Sequence, residues 1–298
     1  MLDCVIIGGG PSGLNGSLVL ARANKNIILF DEDKPRNAVT HESHGFITRD
    51  GIKPSEFKRI AKEELMKYPN CKIVNERVMH IKKEKQSFTI YIKTGKVYKS
   101  RKVILSTGLI DVLPSIHGMS DFYGTSLFSC PFCDGWELKD LPLVLIAENA
   151  GAFHKVKLLY NWSKDLVVCT NGKRVFSQEQ RDLLAKKKIK LIEDEIMVLQ
   201  GEKGQLKTIR FKNGTQIERK GGFVTAGLKQ ASSLAMTMGC KQHKNGGIET
   251  DSFGRTNIEG VYASGDISLS APSQVINAAS EGSIVAMGVI HDLVREDF

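Results

Sequence analysis

Cys130-Pro131-Phe132-Cys133-Asp134-Gly135 holds the residues of this 298-residue chain best suited to chemistry. Two cysteines three apart at a helix start can close a small disulfide ring. The helix dipole and N–H groups lower the pKa of the thiolate that must attack or leave. Asp134 adjoins the pair and is placed to shuttle the proton that thiol–disulfide exchange needs. Half of a zinc site and a purely structural disulfide are the competing readings. Zinc needs further ligands, but there is no second Cys-x-x-Cys, and the sequence shows no cluster around His41 and His44. Redox exchange is therefore the expectation, with no metal.

A second signal stands near the N-terminus. Gly8-x-Gly10-x-x-Gly13, with Pro11 and Ser12 between its last two glycines, follows an apolar run at 3–7 and precedes an amphipathic stretch. Glycines there permit a tight turn and close backbone approach to a pyrophosphate, which the helix N-terminus stabilises through unpaired N–H groups. Asp31 ends the next apolar run, where an acid can accept hydrogen bonds from an adenosine ribose. Farther on, Ser264-Gly265-Asp266 lies between an apolar run and a helical pattern. There Asp266 can face the ribityl part of a flavin, and the two motifs together favour FAD over NAD.

The elements that must position these groups come in two similar sets. The first runs strand 3–7, helix, strand 26–30, helix 54–67, strand 72–80, a hairpin around Thr94-Gly95, and a strand 103–106 leading into Thr107-Gly108. The second runs strand 143–146, helix 151–161, strand 166–169, helix 177–187, strand 189–193, a hairpin at 206–217, and a strand 223–225 leading into Ala226-Gly227. Gly95 precedes Gly108 by the same spacing at which Gly214 precedes Gly227. The reading is an α/β protein of two Rossmann-like, doubly wound units. Residues from about 248 on fit neither copy and are expected to return to the first. The domains are thus 1–112 with 248–298 binding FAD, and 113–247, inserted, resembling an NAD(P)-binding domain and carrying the cysteine pair.

Composition narrows the class. Apolar residues at 41% and charged residues at 25% are ordinary globular usage, which argues against a disordered or fibrous chain. No apolar run approaches the roughly 18–20 residues that span a bilayer. A membrane partner is not expected, and with no secretory pattern the expected location is cytoplasmic. The net charge of +9 comes from scattered lysines such as Lys82, Lys83, Lys85 and Lys186–Lys188, without a basic arm interleaved with aromatics, so nucleic acid is not an expected partner. In a reducing compartment Cys4, Cys71, Cys169 and Cys240 read as small buried hydrophobes.

Across its whole length the chain resembles the low-molecular-weight thioredoxin reductases and their relatives. The resemblance rests on Gly8-Gly9-Gly10-Pro11-Ser12-Gly13, Ser106-Thr107-Gly108, the Cys130–Gly135 segment, Gly260-Val261-Tyr262-Ala263-Ser264-Gly265-Asp266 and Gln274. It implies FAD in domain one, held with Thr107, Gly108, Gly265 and Gln274 among its neighbours. It implies a pyridine nucleotide (NADPH or NADH) and the dithiol in domain two, and a homodimer. It further implies that Cys133 faces the flavin, that Cys130 exchanges with a thioredoxin-like protein or a small-molecule disulfide or dithiol, and that Asp134 is the acid.

In the second copy the sequence departs from the family. Ala147-Glu148-Asn149-Ala150-Gly151-Ala152 replaces a glycine-rich turn, bringing Cβ atoms and a negative charge toward a pyrophosphate. Thr170-Asn171-Gly172 replaces an arginine cluster, with Lys173 and Arg174 close behind. Three functions follow. One is a disulfide reductase fed by a reduced nicotinamide; another is a dithiol oxidase passing electrons through FAD to oxygen. The last is a flavin-binding regulatory protein without turnover. His41-Glu42-Ser43-His44-Gly45-Phe46 and Thr48-Arg49-Asp50-Gly51 resemble divergent relatives rather than typical reductases.

Overall fold

The structure is a computed structural model and describes residues 1–149 and 151–298. The chain forms two compact units. One comprises Met1–Ala38, Gly45–Ile110 and Lys229–Phe298; the other comprises Val39–His44 and Asp111–Leu228.

In the first unit the strand Leu2–Ile7 pairs in parallel with Ile27–Phe30 and with Val97–Leu105, and Ile27–Phe30 pairs in parallel with Cys71–Val74. The strand Val97–Leu105 changes neighbours along its length. Its first residues pair antiparallel with Phe88–Ile92, and its last three pair in parallel with Val261–Ala263. The hairpin strand and the separate strand expected at 103–106 are therefore one element, because strand pairing runs unbroken through the polar stretch Lys99–Lys102. Conversely, the strand expected at 72–80 is two, Cys71–Val74 and Val78–Lys83.

Both faces of this sheet are covered. Val5, Ile7, Ile28, Phe30, Val103 and Leu105 enter one core cluster, while Cys4, Ile6, Ile27, Leu29 and Ile104 enter the other. Successive strand residues point to opposite faces, so a run such as Cys4-Val5-Ile6-Ile7 must be apolar throughout. The helices Pro11–Arg22 and Val275–Asp297 lie against one face. They meet at glycines: a Cβ on Gly282 would stand 2.1 Å from the Ser12 carbonyl oxygen.

The second unit repeats the plan. Its parallel sheet runs Lys190–Ile192, Leu166–Cys169, Leu143–Ile146, Gly221–Val224, Leu127–Phe128. The third, second and first strands of the copy are followed by its closing strand, the order also seen in the first unit. An antiparallel sheet of Ile196–Glu202, Gln205–Phe211 and Gln216–Glu218 accompanies it. The first of these strands is absent from the sequence reading, since Gln200, Gly201 and Glu202 blunt its apolar pattern. The helix Gln178–Lys186 starts at a capping box, Ser177 with Gln180.

One boundary is corrected. The chain returns to the first unit at Lys229 rather than at 248. The reason is burial: Leu234, Ala235 and Cys240 sit in the core cluster with Val5 and Phe30. Cys4, Cys169 and Cys240 are buried and Cys71 is half-buried; all four are free thiols.

Candidate functional site

The turn between Leu2–Ile7 and Pro11–Arg22 is built by close approaches. A Cβ on Gly8 would stand 2.1 Å from the Ser106 carbonyl oxygen, and one on Gly13 would stand 1.9 Å from the Gly8 carbonyl oxygen. Gly9 is equally restricted, because its missing Cβ would overlap the Asp31 carboxyl at 2.4 Å. The sequence pattern does not single out Gly9; the run of three glycines is the signal that could have done so. Gly10 differs from them, with open space where its Cβ would be. It is the N-cap of the helix, and no side chain caps the first turn. Those N–H groups face outward as an anion cradle.

Asp31 is buried against this turn, and its Oδ2 lies 2.7 Å from Lys58 Nζ and 3.2 Å from Lys62 Nζ. Burial opposes ionisation, yet the two lysines and the Asp33 N–H outweigh it and hold the carboxyl below the usual range. Ser12, Ser106 and Ser264 gather their hydroxyls in one buried group, with Ser12 Oγ 2.7 Å and Ser106 Oγ 3.0 Å from Ser264 Oγ. Thr107 and Gly108 follow Ser106 directly, and open space again faces Gly108. Gly265 donates its N–H to Glu281 Oε2 at 2.8 Å, and Asp266 pairs with Arg36 at 3.1 Å. Gln274 is the N-cap of the last helix, in extended conformation and without a side-chain cap bond. All the first-unit residues singled out in the sequence thus line strand ends and helix starts of one sheet. An extended dinucleotide fits that arrangement, because the glycines leave room and the amides supply donors.

The dithiol lies in the second unit. Cys130 and Cys133 are joined as a disulfide, with their Cα atoms 5.3 Å apart. Cys130 is the N-cap of a helix that spans only Pro131–Asp134. The helix start expected there is present, but four residues carry little macrodipole, so local groups dominate thiolate stabilisation. Gly135 closes the segment, where a Cβ would stand 2.8 Å from the Trp162 ring. Lys155 reaches back to it, donating from Nζ to the Ser129 carbonyl at 2.9 Å and the Val224 carbonyl at 3.2 Å. Burial pushes that ammonium down to about 8.

Asp134 is 9% exposed. Desolvation, reinforced by Glu137 and opposed by His44, pushes its carboxyl up to about 7. His44 Nε2 lies 3.6 Å from Glu42 Oε2 and 3.6 Å from Glu137 Oε1. The sequence reading found no cluster around this histidine, because Glu137 is brought to it only by folding. Among the described residues, no group of three His, Cys, Asp or Glu is placed to hold a metal.

Residues 2–282 match the pyridine nucleotide-disulphide oxidoreductase family. The chain belongs to that family. It is similar to the crystal structure of Bacillus anthracis TrxB, a thioredoxin reductase by assignment, at 46% identity and TM-score 0.97 over the whole of both chains. It is 28% identical to a probable thioredoxin reductase of Arthroderma benhamiae, covering 99% of this chain and 81% of that one. It is 27% identical to the thioredoxin reductase of Helicobacter pylori, covering 97% and 98%. The fold is accordingly the two-Rossmann-domain fold of low-molecular-weight thioredoxin reductases, and the protein is an FAD-dependent disulfide oxidoreductase.

NADPH is the family's usual second cofactor, and the second unit's turn is a poor match for it. Gly151 is the N-cap of the helix Ala152–Leu159, and Asn149 turns back on it: its Oδ1 accepts from the Gly151 N–H at 3.1 Å and its carbonyl from the Ala152 N–H at 3.1 Å. Ala150 lies outside the described residues. Glu148 Oε1 accepts from Asn171 Nδ2 at 2.6 Å, and Asn171 Oδ1 accepts from the Ile196 N–H at 2.9 Å. The Gly151 and Ala152 N–H groups are thus engaged within the chain, and the Glu148 carboxylate is held by Asn171.

Proposed function

We propose that this protein passes electrons between FAD and a disulfide or dithiol substrate through Cys130 and Cys133. The observation that carries this reading is the Cys130–Cys133 disulfide with the buried acid Asp134 directly after it. FAD is assigned to the first unit, along Gly8, Gly10, Pro11, Ser12, Gly13, Asp31, Thr107, Gly108, Gly265, Asp266 and Gln274. Bound there, it supplies the two-electron carrier that side chains lack.

In the thiol-oxidising direction, a substrate thiolate attacks Cys130 Sγ. The Cys130–Cys133 bond breaks and its electron pair leaves on Cys133. Asp134, as carboxylate, takes the proton of the second substrate thiol, which then displaces Cys130 and leaves as the substrate disulfide. Cys133 is the thiolate left to face the flavin, which when bound would take up the electron pair. In the reducing direction each step reverses, and Asp134 returns its proton to the departing substrate thiolate. The substrate class is a thioredoxin-like protein or a small disulfide or dithiol, the expected assembly is a homodimer, and the expected site of action is the cytoplasm.

The Gly151 N–H engaged by Asn149 and the Glu148–Asn171 bond favour a second reading. On that reading the physiological donor is a dithiol and oxygen reoxidises the flavin, with no nicotinamide. Anaerobic mixing with dithiothreitol, NADPH and NADH in turn, followed by flavin absorbance, tests both. Bleaching by the dithiol that is lost in Cys133→Ser supports the thiol route. Bleaching retained in both Cys130→Ser and Cys133→Ser overturns it.

A further inference from the structure

The short strand Leu127–Phe128 delivers the chain to the dithiol. Its pairing with Gly221–Val224 lasts only two residues, Leu127 opposite Gly222 and Phe128 opposite Phe223. The next residues in that register are Ser129 and Val224, where the ladder has ended. Lys155 bridges them: its Nζ donates to the Ser129 carbonyl at 2.9 Å and to the Val224 carbonyl at 3.2 Å. The first of these bonds falls on the peptide unit whose nitrogen belongs to Cys130. Trp162, three residues beyond the helix Ala152–Leu159 that carries Lys155, closes on the other end of the segment. Its ring leaves no room for a Cβ on Gly135 and meets the Phe132 ring edge-on, with centroids 5.9 Å apart. One helix and its exit thus hold both ends of Ser129–Gly135.

Resting on the reading of Cys130 and Cys133 as a redox pair, we propose that Lys155 is the positioning residue of that pair. It fixes the peptide that enters Cys130 and thereby favours the closed disulfide over the open dithiol. The reason is conformational freedom. Opening the ring frees the two cysteines from each other, and the open form gains most when the ends of the segment are loose. A segment pinned at Ser129 and at Gly135 gains less, so its disulfide is harder to reduce.

No proton or electron passes through Lys155. Burial works against its charge, pushing the ammonium down to about 8 against the pull of Asp111. The two carbonyl bonds compensate part of the hydration that the ammonium gives up there.

The test equilibrates flavin-loaded enzyme, without oxygen, in buffers of stepped ratios of reduced to oxidised dithiothreitol. Alkylation and mass spectrometry then read the state of Cys130 and Cys133. Reduced dithiothreitol closes to its cyclic disulfide and gives the pair two electrons and two protons, so the ratio at half reduction yields the equilibrium constant. Lys155→Met should shift that constant about tenfold toward the dithiol, or about 30 mV. Lys157→Met removes an exposed cation from the same helix without touching either carbonyl, and should leave the constant unmoved. Lys155→Gln, whose side chain is one atom shorter, should shift it in the same direction and serves as the check should the methionine variant fold poorly. Equal shifts in Lys155→Met and Lys157→Met overturn the proposal. A shift toward the disulfide overturns it too, since the ammonium would then be stabilising a thiolate through its charge. If the parent pair stays closed at every ratio, the redox reading of the cysteines falls, and the positioning role with it. If the parent pair titrates and the Lys155 variants match it, the positioning role alone is wrong.

Discussion

Ser12 and Ser264 stand 252 positions apart in the chain, and their hydroxyl oxygens are 2.7 Å apart in the fold. Ser106 completes the group, 3.0 Å from Ser264 and 3.5 Å from Ser12. All three are buried, so each hydroxyl depends on the others for a partner. Each also begins or adjoins a different piece of the proposed flavin site: the glycine turn, Thr107-Gly108, and Gly265-Asp266. The three hydroxyls fasten these pieces at one point.

Ser264→Ala removes the member that touches both others. The loss is expected to be about 1–2 kcal/mol of stability, since two buried hydroxyls lose their best partner. Thermal unfolding should occur a few degrees lower, and FAD should leave faster on dilution. Unchanged flavin retention would show that the segments are held by other contacts.

Gly13→Ala and Gly10→Ala should fail differently. The Gly13 Cβ would stand 1.9 Å from a backbone oxygen, so that variant is expected to lose both stability and FAD. The Gly10 Cβ would meet no protein atom within 4 Å. Flavin-free Gly10→Ala should melt as the parent does, while its FAD affinity falls about tenfold or more as the methyl enters the cradle. Equal FAD affinities for the parent and Gly10→Ala, by fluorescence titration, would move the pyrophosphate away from this turn.

Asp134 should make stability depend on pH. Its proton affinity is raised from 3.8 to about 7, so the folded state holds a proton that the unfolded state releases. Its effect on stability is therefore smallest below pH 4 and becomes unfavourable as pH rises from about 4 to 7, levelling off above. Asp134→Asn does not titrate. Relative to the parent it should gain on the order of 2 kcal/mol between pH 4.5 and pH 8. Parallel melting-temperature curves for the two proteins across that range would contradict this.

NADPH should reduce the flavin far less effectively than a dithiol does. One lost charge-assisted contact costs roughly 1.5–3 kcal/mol, and here the Gly151 N–H is engaged by Asn149 and Glu148 adds a carboxylate. Replacing Ala147, Glu148 and Asn149 by glycine frees the Gly151 N–H and removes the carboxylate, and should improve NADPH use. Saturable reduction of the parent flavin by micromolar NADPH in stopped-flow mixing would refute the expectation.

Much of the fold is legible without coordinates. Strands Leu143–Ile146 and Leu166–Cys169 are visible in the sequence at their observed bounds, because a sheet buried on both faces demands unbroken apolar runs. The duplication shows through the matched spacing of glycines that follow each hairpin. The glycine turn and the Cys-x-x-Cys-Asp segment are likewise local, since their geometry is set by neighbours within a few residues.

Other features depend on which distant side chains meet. Ile196–Glu202 forms a strand because Gln205–Phe211 offers it a partner, not because its own pattern demands one. Residues 229–247 join the first unit because Leu234 and Cys240 find apolar surface there. Asn149 and Glu148 show in the sequence as obstacles to a dinucleotide. The Asn149–Gly151 bond is local, whereas the Glu148–Asn171 bond depends on strand ends brought together by the sheet. His41-x-x-His44 reads as a pair without company until the fold sets Glu137 beside His44. Periodicity and turn residues fix what is near in the chain. Of the charges that tune Asp134, Glu137 is a near neighbour in the chain, but His44 and the burial itself are supplied only by tertiary packing.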